Sequence, residues 1–133
     1  MTGPAPEWQP ESLVIAGRRY VEVLLPISFA QRLWLSQPLH AAGLLDPAAR
    51  PAGADAMFWQ LVERDQLWPV LAGSVAPEGE AWTEDRARAL IPALKALEDE
   101  SAQAALVRIA ARLIAGLLPA AAESPPAADR ATA

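Results

Sequence analysis

Between Ala102 and Leu118 the large aliphatic residues Leu106, Ile109, Leu113 and Leu117, with Ala110 and Ile114 beside them, return every three or four positions. That spacing lines one side of an α-helix. Gln103, Arg108 and Arg112 fall elsewhere on the wheel, so the helix has a wet face and a broad dry one. Burying each of the four large side chains is worth roughly 1.5–3 kcal/mol. The segment is therefore the main core element, and the upstream chain must cover it.

Upstream, the period changes. Ser12–Ala16 and Arg19–Leu25 are rich in β-branched and aromatic residues and flank Gly17, which predicts a β-hairpin. Ala-Gly is a weakly specifying turn pair, so the register stays open. Pro26 ends the second strand. Ser28 followed by Gln31 has capping-box spacing, so a helix should begin at Phe29 and present Phe29, Leu33 and Trp34 as its apolar side. It should weaken near Gln37, before Pro38, with a further short turn over Leu39–Ala42 closed by Gly43. Asp55 is expected to cap a helix carrying Phe58, Leu61 and Val62 to about Leu67, where Pro69 breaks or kinks it. Trp59 and Trp68 should close over the core, with Trp34 as a third anchor. Residues 73–81 read as a loop. Thr83 should cap a helix bearing Ala87, Leu90, Ile91, Leu94 and Leu97, bent at Pro92, and Ser101 should open the last helix.

The fold class that follows is α+β, mostly α: a short N-terminal β-hairpin followed by four or five helices, with disordered N- and C-terminal arms. Residues 1–10 hold three prolines and a glycine and read as a flexible arm, 11–118 as a single hairpin-plus-helices domain, and 119–133 as a disordered Ala/Pro-rich tail. The 133 residues suit one domain. Hydrophobic residues make up 53%, but much of that share is alanine, so the effective core is smaller than the percentage implies.

A net charge of −5 disfavours a nucleic-acid partner, because neutralising phosphates needs clustered Lys and Arg, and only Arg18 and Arg19 are adjacent. The absence of cysteine excludes disulfides and thiol chemistry. No secretory pattern opens the sequence, and the longest apolar run carries two arginines, so the expected setting is cytoplasmic with no membrane partner. His40 is the sole histidine, which removes His-based dyads and multi-histidine metal sites within one chain. Glu98, Asp99 and Glu100 read as a solvated capping run, and no phosphate-loop or dinucleotide glycine pattern occurs. No catalytic, cofactor-binding or metal-ligating residues are expected, and the chain reads as a non-enzyme.

What remains is protein binding. Trp8 and Trp82 lie in polar surroundings where an indole serves as a contact anchor. If the hairpin and first helices leave part of the last helix open, Leu106, Ile109, Leu113 and Leu117 become partner-binding residues too.

The order of a hairpin carrying Leu13, Val14, Ile15, Gly17, Arg19, Tyr20, Val21 and Val23, then Pro26, Ser28, Phe29 and Leu33, resembles tail assembly chaperones of long-tailed bacteriophages and prophage elements. The resemblance covers about the first quarter of the chain. It implies a non-enzymatic role: binding the tape-measure protein, keeping it soluble and helping recruit tail tube subunits, in the host cytoplasm. Two alternatives stand beside it: a small structural or adaptor protein that homo-oligomerises through its hairpin edge, and a protein-binding regulator.

Overall fold

A computed structural model describes residues 10–118. In chain order the elements are β1 (Ser12–Ile15), β2 (Arg18–Glu22), α1 (Phe29–Ala41), α2 (Ala54–Glu63), α3 (Leu67–Ala72), β3 (Val75–Pro77), α4 (Glu84–Lys95) and α5 (Glu100–Leu117). The chain is α+β and mostly α, as the pattern predicts. Both predicted terminal arms, Trp8 included, lie outside the described residues except for Pro10.

β1 and β2 pair antiparallel with Leu13 opposite Tyr20 and Ile15 opposite Arg18. The connecting residues Ala16 and Gly17 both have positive φ, +52° and +79°, the two-residue arrangement that matches strand twist. Glycine adopts it freely, whereas alanine there carries a steric cost of roughly 1 kcal/mol. Ala16→Asn is therefore expected to raise the unfolding midpoint in urea, by an amount equivalent to about 0.5–1 kcal/mol. An unchanged or lower midpoint would contradict this reading of the turn.

The stretch expected to be a loop supplies a third strand. β3 pairs antiparallel with β2, Val21 opposite Ala76, making a sheet of order β1-β2-β3. Val-Ala-Pro has no alternation to betray a strand, and its pairing partner lies more than fifty residues away. Val75 and Ala76 are buried, and Ser74 donates to the Val70 carbonyl at 2.7 Å.

The helices correct several expected boundaries. α1 runs through Pro38 to Ala41: the proline gives up its own donor and crowds the carbonyl one turn back, but it lies in the last turn, is buried against the core, and its carbonyl still accepts from Ala42 at 3.0 Å. Ser28 caps it as expected, accepting from the Gln31 N–H at 3.1 Å. α2 starts one residue before Asp55, with Gly53 at the N-cap position, so Asp55 acts through the first turn's dipole instead of a cap bond. The chain breaks at Arg64–Gln66, where Asp65 has φ +59°, and not at Pro69. Pro69 instead sits in the first turn of α3, where no intrahelical partner is owed to its nitrogen. Thr83 caps α4 as predicted, and Pro92 lies within it. Asp99, within the acidic run read as capping, caps α5 by accepting from the Ser101 N–H at 3.0 Å, and the helix opens at Glu100, one residue before Ser101.

α5 is the core's spine. Leu106, Ile109 and Ala110 pack with Leu13 and Ile15 of the hairpin, Phe58 of α2 and Leu90 and Leu94 of α4. One turn further on, Leu113 and Ile114 pack with Leu35 and Leu39 of α1, Met57 and Leu61 of α2 and Val70 of α3. Trp59 does not close over this core: it is 60% exposed, touching Phe58 edge-on at 5.7 Å. Trp34 and Trp68 are partly buried against it, as expected.

The expected wet face of α5 is occupied. Glu22, whose side chain is 5% exposed, takes a two-pronged pair from Arg112, Nε to Oε2 at 2.8 Å and Nη2 to Oε1 at 2.9 Å. Arg112 also reaches Glu11 Oε1 at 2.7 Å, Arg108 pairs with Glu11, and the Glu11 N–H donates to Glu22 Oε1 at 3.0 Å. This network fastens the hairpin to α5. The Arg108 guanidinium chiefly, with help from Arg112, holds the Glu11 carboxyl below the usual carboxylate range, against an opposing effect of burial. Arg112 is in turn held more basic than a free arginine, first by Glu22 and then by Glu11.

Candidate protein-binding face

The inward side of α1 is set by Gln31, Leu35, Pro38 and Leu39, all buried. Gln31 Nε2 donates to the Gly73 carbonyl at 2.7 Å, so α1 and the end of α3 lie close together. Gly73 permits this, since a Cβ there would stand 2.6 Å from Leu35 Cδ2 and 3.0 Å from Trp34 Cδ1.

That rotation turns Phe29 and Leu33 outward, correcting their expected place on the apolar side. They stand one turn apart, and Phe29 is 74% and Leu33 51% exposed. Beside Leu33 runs a groove of about 420 Å³, lined by Ala30, Leu33, Trp34, Gln37 and Pro38 of α1, by Gln66 and by Pro69 of α3, and by Glu84 and Arg88 of α4. Trp34 is fixed within it. Its Nε1 donates to the Pro69 carbonyl at 2.8 Å, its ring meets Trp82 edge-on at 5.9 Å, and the Arg88 guanidinium lies 5.4 Å from its centroid. Arg88 is itself paired with Glu84 one turn back. The result is a pair of exposed apolar side chains beside a groove lined by both polar and apolar groups, with little local net charge because Arg88 and Glu84 pair.

The residues expected to bind a partner fall in different places. Leu106, Ile109 and Leu113 are at most 5% exposed, the first two packed with α2, α4 and the hairpin and the third with α1, α2 and α3, so they hold the fold together and offer no surface. This corrects the expectation of an open ridge. Leu117 is half-buried and borders a small groove of about 100 Å³ with Ile27, Leu39 and Leu45. Trp82 is half-buried, its Nε1 donating to the Ala72 carbonyl at 3.0 Å, and it borders a second groove of about 430 Å³ with Val21, Val23 and Ala76. Trp8 lies outside the described residues.

Neither family models, curated proteins nor solved structures match this chain. The site is therefore judged on its own chemistry. His40 is exposed in the last turn of α1, and the Ser28 hydroxyl serves as a cap. Among the described residues no group of three His, Cys, Asp or Glu is placed to hold a metal ion, and no helix is long and apolar enough to cross a membrane.

Sequence reading missed Phe29 and Leu33 because α1 carries two competing apolar stripes. Leu35, Leu39 and Ala42 form the second, and its spacing of four and three residues was the available signal.

Proposed function

We propose that this chain is a non-enzymatic protein-binding domain that holds an apolar helical segment of a partner along α1. More specifically, it acts as a tail assembly chaperone of a long-tailed phage or prophage, in the host cytoplasm, with the tape-measure protein as client and tail tube subunits recruited around it. The observation that carries the binding role is the exposure of Phe29 and Leu33 one turn apart on a capped helix whose opposite side is locked into the core. Leaving two large apolar side chains in water forgoes roughly 1.5–3 kcal/mol apiece, which a helix laid into the adjoining groove recovers. The choice of client rests on the resemblance of the hairpin and first helix. An acidic domain of net charge −5 also suits a chaperone that must keep an apolar client in solution.

Co-expression tests the reading. The reading expects a tape-measure gene beside this one, and its product is expected to stay soluble and to co-purify with the wild type. A client that is equally insoluble with and without the chain, with nothing co-purifying, would defeat the proposal.

A further inference from the structure

We infer that Trp8, which lies outside the described residues, docks on its own chain, its indole seated in the groove between the end of β2 and α5. This docking is independent of the client. The groove, of about 300 Å³, is lined by Glu22, Val23, Leu24, Leu25, Arg112 and Leu113. Leu113 is buried, while Leu24 and Leu25 are 44% and 45% exposed. Leu25 lies against α5 at Gly116, where a Cβ would stand 2.5 Å from its Cδ1. Two leucines of one groove left nearly half in water are unfavourable, and a large apolar group laid on them shields both.

The path of the chain selects the occupant. Glu11 is fastened to the polar end of this groove: its N–H donates to Glu22 Oε1 at 3.0 Å, and its Oε1 accepts from Arg112 Nη2 at 2.7 Å. From Pro10, the next residue outward, Trp8 stands two positions away, at most about 7 Å between Cα atoms. A tether this short gives Trp8 an effective concentration on the order of millimolar, which neither a second copy nor a partner at micromolar concentration matches. Trp8 is the sole aromatic among residues 1–9, and residues 119–133 hold no aromatic or large aliphatic side chain. The chemistry of the groove fits an indole in particular. Arg112 Nε and Nη2 are committed to Glu22 and Glu11, yet its side chain is 39% exposed. A guanidinium held by its in-plane donors still takes an aromatic ring over its face, while the leucines cover the rest of the indole. An aliphatic side chain would satisfy the leucines alone, and a carboxylate would find the arginine already matched.

Fluorine NMR of the full chain labelled with 5-fluorotryptophan tests this, Trp8→Ala identifying the Trp8 signal among the five. At micromolar concentration the wild-type Trp8 signal is expected away from its position in a free peptide of residues 1–11. It should return there in Leu24→Ser/Leu25→Ser, whose two sites are both partly in water. Trp8→Ala should also lower the unfolding temperature by about 4 °C, and by much less in the Leu24→Ser/Leu25→Ser background. If that background fails to fold, the wild-type signal and the Trp8→Ala melting shift decide alone. A wild-type Trp8 signal at the peptide position, a signal unmoved in folded Leu24→Ser/Leu25→Ser, a displacement that fades on dilution as docking on a second copy would, or an unchanged melting temperature in Trp8→Ala would each overturn the inference.

Discussion

Replacing Arg112 by alanine is expected to lower stability by about 3 kcal/mol, the low end of what losing one partner of a buried ion pair costs. Glu22 is then left with a buried carboxylate whose remaining donor is the Glu11 N–H. The full cost of a sealed pair is not expected, because the Arg112 side chain is 39% exposed and water can enter the space it leaves. For a domain of this size the loss corresponds to a fall in unfolding temperature of roughly 10 °C. Arg112→Ala with Glu22→Leu should recover much of it, since the uncompensated charge is gone. Thermal unfolding of the single and double variants checks both statements, and a double variant no more stable than the single would contradict them.

The same network sets an acid limb. Glu11 has a folded-state pKa below its unfolded one, so the unfolded chain takes up the proton first. Its stabilising contribution is complete above the unfolded value and is lost as pH falls through the folded one. Arg108→Ala removes the chief cause of the lowering, so the variant's stability should fall less steeply over that window than the wild type's.

The second large effect is expected at Ile109, fully buried where α5 packs against α2 and β1. Ile109→Ala deletes three carbons from a close-packed site and should cost about 3–4 kcal/mol. Phe29→Ser together with Leu33→Ser should change stability by less than about 1 kcal/mol, because both side chains are largely in water. The contrast places Ile109 in the core role its periodicity suggests and moves Phe29 and Leu33 from the expected apolar side to the surface.

How far the pattern carried is instructive residue by residue. The α5 periodicity and the Ser28 and Thr83 caps were legible because each is a local signal, decided within one or two turns. The hairpin was legible from its β-branched runs around Gly17. β3 was not, since Val75–Pro77 becomes a strand only through pairing with β2. Arg108 and Arg112 looked solvated because their partners, Glu11 and Glu22, lie some ninety to one hundred positions away. The exposed side of α1 was misread for a related reason. Helical spacing shows that a side is apolar, but which of two apolar sides is buried depends on the neighbours, here on Gly73 admitting Leu35.

The most direct measurement compares two variants, Ile109→Ala and Phe29→Ser/Leu33→Ser, each assayed for unfolding free energy and for capture of the proposed tape-measure client per folded molecule. The account predicts that the first loses stability but keeps client capture, and that the second keeps stability but loses capture by at least about tenfold, the equivalent of 1.4 kcal/mol. Client binding that survives loss of Phe29 and Leu33, or that disappears in folded Ile109→Ala, would contradict it.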